Sequence, residues 1–237
     1  MKLWFVVFVS IVVLILALIL FSPLIKVKPN KISDFTDVES CLQKYYFEDN
    51  SNSTYKISLI SREFSPKENY PKAWECMRQI PKDKSYNLLI QLKDAPSKDV
   101  KALLELNGIK LLNYIPKNAW FAEAKGELML NKVLLSQIRW LGIIRPEDKM
   151  QKSLWEGNAG SWGLNGNDVN LVIKLHDNAP SQMFETLVTE LGGEVTEHVN
   201  TSNSFTIKIP MKNLKMLANE NSVRYIDTIA PPAVITN

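Results

Sequence analysis

The 237-residue sequence predicts an α+β protein of two tandem βαββαβ modules behind an N-terminal transmembrane helix, on three observations. The first is an internal repeat. "YNLLIQLKDAPS" (Tyr86 to Ser97) returns as "VNLVIKLHDNAPS" (Val169 to Ser181) with one insertion, and "NAWFAEA" (Asn118 to Ala124) returns as "NSFTIKI" (Asn203 to Ile209). Arg139 returns as Arg224, at the same 85-position offset that separates Asn118 from Asn203, so the second half duplicates the first. The second observation is that each copy orders its strand-like and helix-like patterns as βαββαβ, the ferredoxin-like arrangement. The third is "MKLWFVVFVSIVVLILALILFSPLIK", which carries no charge between Lys2 and Lys26.

An uncharged apolar run of about 20 residues is long enough to cross a bilayer as a helix. Residues 1–25 are therefore expected to be a transmembrane anchor, with a cleaved signal segment as the alternative; Ala17 and Ser22 make a poor small-residue cleavage site. The lysines do not orient the span, because Lys2 precedes it and Lys26, Lys28 and Lys31 follow it. Residues 26–84 form a juxtamembrane segment that holds both cysteines, Cys41 and Cys76. Outside the cytosol such a pair is expected to close a disulfide, and two buried free thiols are the alternative. No second pair or nearby histidine completes a metal-ligand set, so no metal and no cofactor is expected. "NST" at Asn52 and "NTS" at Asn200 are glycosylation acceptor patterns. Together with the cysteines they favour a single-pass membrane protein with its body on the extracytoplasmic side.

Residues 85–145 make the first module. "NLLIQL" alternates and is β-rich; "PSKDVKALLELNG" opens on Pro-Ser, carries Val100, Leu103, Leu104 and Leu106, and stops at Gly108 as an amphipathic helix should. "IKLLNYIP" is the second strand, Lys117-Asn118 the turn, "AWFAEA" the third strand, "GELMLNKVLLS" the second helix and "QIRWLGII" the fourth strand. Residues 146–168, rich in Gly, Asn and Ser, read as a linker whose Trp155 and Trp162 either pack on a module or contact a partner. Residues 169–237 repeat the module and add a C-terminal tail. Two helices on one sheet face would put Leu88, Ile90, Leu92, Trp120 and Ala122 inward in copy one, and Leu171, Ile173, Leu175, Phe205, Ile207 and Ile209 in copy two. Leu89, Gln91, Phe121 and Glu123, or Val172, Lys174, Thr206 and Lys208, then fall on an uncovered face open to water or to a partner. The fourth strands are near-continuous apolar runs whose faces the pattern does not assign.

The charge balance, a net +3 without any Lys/Arg cluster interleaved with aromatics, speaks against a nucleic-acid partner. No catalytic constellation is present: no G-x-S-x-G, no phosphate-binding loop, and two isolated histidines, His176 and His198. His176 aligns with Lys93, which suggests a surface position, and His198 aligns with Asn113. The chain is not expected to be an enzyme.

The stretch from "YNLLIQLKDAPS" through "NYIPKNAWFAEA" to "IRWLGIIRPEDKM" resembles the N-terminal prodomains of subtilisin-like serine proteases, most of all the two-module prodomains of prokaryotic secreted enzymes. "LISREFSPKENYP" is similar to the segment that precedes such modules, and "VRYIDTIAPPAVITN" to the junction into a protease domain, so the likeness spans roughly Ile57 to Asn237. None of the sequence surroundings of the protease triad (Asp-Thr-Gly, His-Gly-Thr, Gly-Thr-Ser-Met-Ala) occurs in the chain, so the family's proteolytic activity is not carried over. What the resemblance implies is a subtilisin-propeptide-like binding protein of the cell envelope, acting on a subtilisin-like serine protease as inhibitor or folding chaperone. It would dock by the open sheet faces (Leu89, Phe121, Val172, Lys174, Thr206, Lys208). A tail of Pro231, Pro232, Ala233, Val234, Ile235, Thr236 and Asn237 would lie in the protease cleft. The alternatives are a structural or adhesive envelope protein of paired modules, or a truncated remnant of a subtilase gene.

Overall fold

The computed structural model describes residues 35–49, 53–126, 128, 129 and 132–231, without the side chains at 132 and 135. The chain is mixed α+β with several sheets. Among the described residues no helix is long and apolar enough to cross a membrane. The span expected over residues 1–25 lies outside them. The membrane helix in the expected fold class and the single-pass localisation are corrected accordingly: neither has support in the structure, and neither is carried forward.

The segment expected to lie between the span and the first module, with both cysteines in it, is built into that module. Helix α1 (Thr36–Lys44) and helix α2 (Lys72–Met77) bury Val38, Leu42, Ala73, Trp74 and Met77, and the Cys41–Cys76 disulfide joins the two helices. Between them, β1 (Ile57–Ser58) and β2 (Glu63–Phe64) form a short hairpin. The first large sheet follows, with β3 (Ser85–Leu92), β4 (Ile109–Ile115), β5 (Ala119–Lys125) and β6 (Ile138–Gly142) in the order β4-β5-β3-β6. Helix α3 (Lys98–Leu106) is capped by Ser97, whose hydroxyl accepts the Val100 N–H at 3.2 Å. Pro116, Lys117 and Asn118 close the β4–β5 hairpin between the paired Ile115 and Ala119, and Lys117 and Asn118 both take left-handed backbone angles there, φ 69° and 54°. Helix α4 (Lys132–Gln137) leads into β6.

One face of this sheet packs as the alternation foretells: Leu88, Ile90, Leu92, Trp120 and Ala122 sit in one core with Leu42, Trp74, Met77, Leu104 and Leu134. The opposite face, expected to be open, is closed over Leu89 and Gln91, while Phe121 and Glu123 stay half-buried at its margin. Leu89 and Gln91 are fully buried there, under Ile57 and Phe64 of the hairpin and beside Trp140 and Ile144. Gln91 Nε2 donates to the carbonyls of Tyr55 (3.1 Å) and Lys117 (2.8 Å), and Arg139 Nη1 donates to Gln91 Oε1 (2.9 Å) and the Pro66 carbonyl (2.7 Å). The Arg139 guanidinium lies 3.9 Å from the Tyr55 ring centroid, and the Phe64 and Trp140 rings meet edge to face at 5.8 Å. The first sheet is thus the middle layer of three.

The expected linker also folds inward. A 3₁₀ turn (Pro146–Lys149), α5 (Lys152–Trp155) and α6 (Gly160–Gly163) place Met150, Leu154 and Ala159 in the second module's core. Trp155 packs at the edge of that core under Lys215, 4.6 Å from the ring, whereas Trp162 stays largely exposed. The second large sheet has β7 (Leu164–Asn165), β8 (Asp168–Leu175), β9 (Glu194–Val199), β10 (Ser204–Pro210) and β11 (Val223–Thr228). Its order is β11-β8-β10-β9, with β7 paired to the start of β8. Helices α7 (Ser181–Glu190) and α8 (Leu214–Asn219) supply Phe184, Val188, Leu214 and Leu217 against Leu171, Ile173, Leu175, Phe205, Ile207 and Ile209. In both modules the pairing of the fourth strand with the first shifts register, between Gln91 and Leu92 and between Val223 and Tyr225. A bulge breaks the two-residue period locally, which is why those strands show no readable alternation.

Candidate functional site

The two sheets meet across a cleft of 390 Å³. One wall is the distorted end of β4, where pairing with β5 shifts register between Leu111 and Tyr114; Asn113, Tyr114, Ile115 and Pro116 turn toward the opening. The second wall is Lys174 on β8 with Arg224 and Tyr225 on β11. The hairpin turn Ser58–Ile60 forms the third side, and Phe121 and Asp148 complete the lining. Of the residues expected on open sheet faces, the structure brings Phe121 and Lys174 into this one cleft. Leu89 is withdrawn beneath the hairpin.

The cleft is braced by polar pairs that cross between modules. Asn221 Oδ1 accepts the Asn87 N–H at 2.7 Å, Asn221 Nδ2 donates to the Asn87 carbonyl at 2.9 Å, and Asn87 Nδ2 donates to the Asn221 carbonyl at 3.2 Å. Lys149 is buried and donates through Nζ to the Glu220 carbonyl at 2.6 Å. Burial pulls its pKa down to about 8 despite the nearby carboxylates of Glu220, Glu39 and Asp148. Arg224 Nη1 donates to Asn113 Oδ1 and lies 3.8 Å from the Asp177 carboxylate. On the far side Asp148, its side chain fully buried, accepts from Arg62 Nε (2.7 Å) and Nη2 (3.0 Å), from Ser61 Oγ (3.0 Å) and from the Arg145 N–H (3.3 Å).

His176 is a correction. It is fully buried rather than at the surface, edge-on to Phe121 with centroids 5.6 Å apart, and neither ring nitrogen has a hydrogen-bond partner. Burial, reinforced by the positive charges of Lys149 and Arg224, drives its pKa down to about 3. The alignment with half-buried Lys93 misleads because the end of β8 abuts Phe121 of the first module. His198 stacks on Phe205 at 4.0 Å with Nδ1 3.6 Å from Glu185, on the helix-covered face.

On the second sheet's other face Val172, Lys174, Thr206 and Lys208 are half-buried. Tyr225 and Asp227 share that face through pairing with Lys174 and Val172. Lys208 Nζ lies 3.5 Å from Asp168, Thr206 Oγ1 donates to Glu197 at 3.4 Å, and the Tyr225 hydroxyl donates to Asp227 at 2.7 Å. Pro231 is exposed; the rest of the expected tail, Pro232, Ala233, Val234, Ile235, Thr236 and Asn237, lies outside the described residues, as does Asn52. Asn200 is exposed in the turn between β9 and β10. Among the described residues no group of three or more His, Cys, Asp or Glu side chains is placed to hold a metal ion.

Residues 58–145 match the model of a family described as a domain of unknown function (DUF8729). The matched span opens in the hairpin that covers the first sheet and closes just past β6, so it takes in the hairpin together with the sheet beneath it. No curated protein matches the chain. In the sequence Arg224 stands out only as the partner of Arg139 in the repeat. Asn113, Asn221, Lys149 and Asp148 carry no local pattern, because each acquires its role from a residue 70 or more positions away.

Proposed function

We propose that this chain is a non-catalytic binding protein that engages a subtilisin-like serine protease through its second module, as inhibitor or folding helper. The observation that carries the reading is the inequality of the two sheets. The hairpin seals the centre of the first sheet's second face over Leu89 and Gln91, whereas the second sheet has no such cover and keeps Val172, Lys174, Thr206 and Lys208 partly open. Its β11 lies at the edge of the sheet and leads directly to Ala230 and Pro231. An open face beside an outgoing segment able to extend along a partner suits docking by surface contact plus strand addition, in which main-chain hydrogen bonds give affinity and alternate side chains give selectivity. The prolines Pro231 and Pro232 restrict the segment and lower the cost of ordering it. A purely structural or adhesive pairing of modules is the second reading, favoured by the reciprocal Asn87–Asn221 bonds that fasten the modules together.

The test is inhibition of subtilisin-like proteases by the full chain, by a chain lacking Ala233 to Asn237, and by Val172→Asp. Loss of a few contacts worth about 1 kcal/mol each should weaken inhibition by the truncated chain at least about tenfold to a hundredfold. Val172→Asp should weaken docking itself. Equal inhibition by all three, or none by any across several such proteases, would overturn the reading and leave the structural one.

A further inference from the structure

We propose that the cleft between the two modules is a binding site for an organic carboxylate, one anionic group on a small apolar body. The argument begins with charge. Three ionised side chains line the cleft: Asp148, Lys174 and Arg224. Asp148 is already neutralised by the two-pronged hydrogen bond from Arg62, so it presents no free charge to a ligand. Among the described residues no carboxylate lies within ion-pair distance of Lys174, and Arg224 has only Asp177, at 3.8 Å and well exposed. The wall formed by β8 and β11 therefore presents two cations in a partly desolvated recess, where a carboxylate is bound more strongly than in open water.

Asn113 adds a neutral donor. Its Oδ1 is held by Arg224, which leaves the amide NH₂ free to donate to the same anion. Facing these polar groups are Leu59, Ile115, Pro116 and Phe121, with Ile60 and Tyr114 exposed at the rim at 45% and 61%. A recess with one apolar side and a few converging polar groups is the usual form of a small-ligand site, and 390 Å³ is near the lower end of the roughly 300–1,000 Å³ such sites occupy. The volume suits a body about the size of one aromatic ring with a short link to its carboxylate. A phosphate fits less well, because the lining offers no glycine-rich nest or helix N-terminus to surround a dianion with backbone N–H groups.

This site requires no protease and uses the small-molecule chemistry of one recess, so it is tested apart from the docking reading above. The full chain is titrated with 3-phenylpropionate, with its neutral amide of the same shape, and with inorganic phosphate, by saturation-transfer NMR and calorimetry. The acid should bind saturably with Kd of about 1 mM, and the amide about tenfold more weakly, the effect of losing a charge-assisted contact. Lys174→Gln should bring the acid down to the level of the amide with an unchanged circular dichroism melt, and Lys117→Gln, outside the lining, should change nothing. Equal affinity for acid and amide, phosphate displacing the acid at equal concentration, or native affinity in Lys174→Gln would each overturn the proposal. N-acetylphenylalanine, run alongside, separates the sources: binding as tight as 3-phenylpropionate marks the site as one for a peptide C-terminus, weaker binding as one for a free acid.

Discussion

Acid should loosen the junction of the two modules through one residue, His176. Its imidazole is fully buried against Phe121, with both ring nitrogens unpartnered and with Lys149 and Arg224 close enough to oppose a further positive charge. The folded chain therefore holds it neutral, with a pKa of about 3. In the unfolded chain an imidazole titrates near ~6.5. A depressed pKa in the folded state contributes stability that is fully present above the unfolded value and is lost as pH falls from there toward the folded value. Each unit of that interval is worth about 1.36 kcal/mol, so acidification from neutrality to pH 4 should remove about 3 kcal/mol. Set against a typical total of roughly 5–15 kcal/mol, that loss is large. The assay is urea unfolding at neutrality and in acid, comparing the chain with His176→Leu. The raised carboxyl pKa values of Glu39 and Glu220, set by their own burial, act in the opposite direction but are shared by both proteins and cancel in the difference. If the two proteins lose stability in parallel as pH falls, the reasoning about His176 is wrong.

Two further outcomes are expected. Reduction of Cys41–Cys76, whose partners lie 35 residues apart, should cost about 3–4 kcal/mol by the chain-entropy relation, read as a lower urea midpoint in the presence of reductant. An unmoved midpoint would refute it. Arg62→Met should cost about 3 kcal/mol or more, because it strands the buried Asp148 charge, and the double change Arg62→Met with Asp148→Leu should recover part of that loss in the same assay. Additive losses in the double variant would count against the pairing.

The strand and helix pattern was readable because each element's signal is local. The alternation at 87–92, the Ser97 cap, the Lys117-Asn118 turn and the stop at Gly108 all report on neighbours a few residues away. The inward sets of both sheets followed directly from the two-residue period. What alternation cannot convey is which other segment will land on a sheet's second face. Leu89 and Val172 occupy equivalent positions in the repeat, yet the first is sealed by a hairpin some 25 to 32 residues upstream of it and the second is half-open. The linker hides its core role for the same reason: its Gly and Asn content signals turns, and its Met150, Leu154 and Ala159 are too sparse to register as a core contribution until the second sheet is in place.

The divergence of the two copies follows from that difference in cover. In the first copy the second residue of the fourth strand is Arg139, buried and spent on Gln91, the Pro66 carbonyl and the Tyr55 ring. Its counterpart Arg224 has no hairpin above it; it reaches Asn113 of the other module instead and lines the cleft. The same holds for neighbours on that face: Gln91 is satisfied internally by two carbonyls, whereas its counterpart Lys174 faces the recess with no anion beside it among the described residues. A hairpin added to one module thus converts its polar face residues into internal braces, while the uncovered copy keeps equivalent residues free for contact. On the proposed readings, that asymmetry would place recognition on the second sheet and on the cleft that borders it, with the first module, its disulfide and three layers, fixing one wall of that cleft.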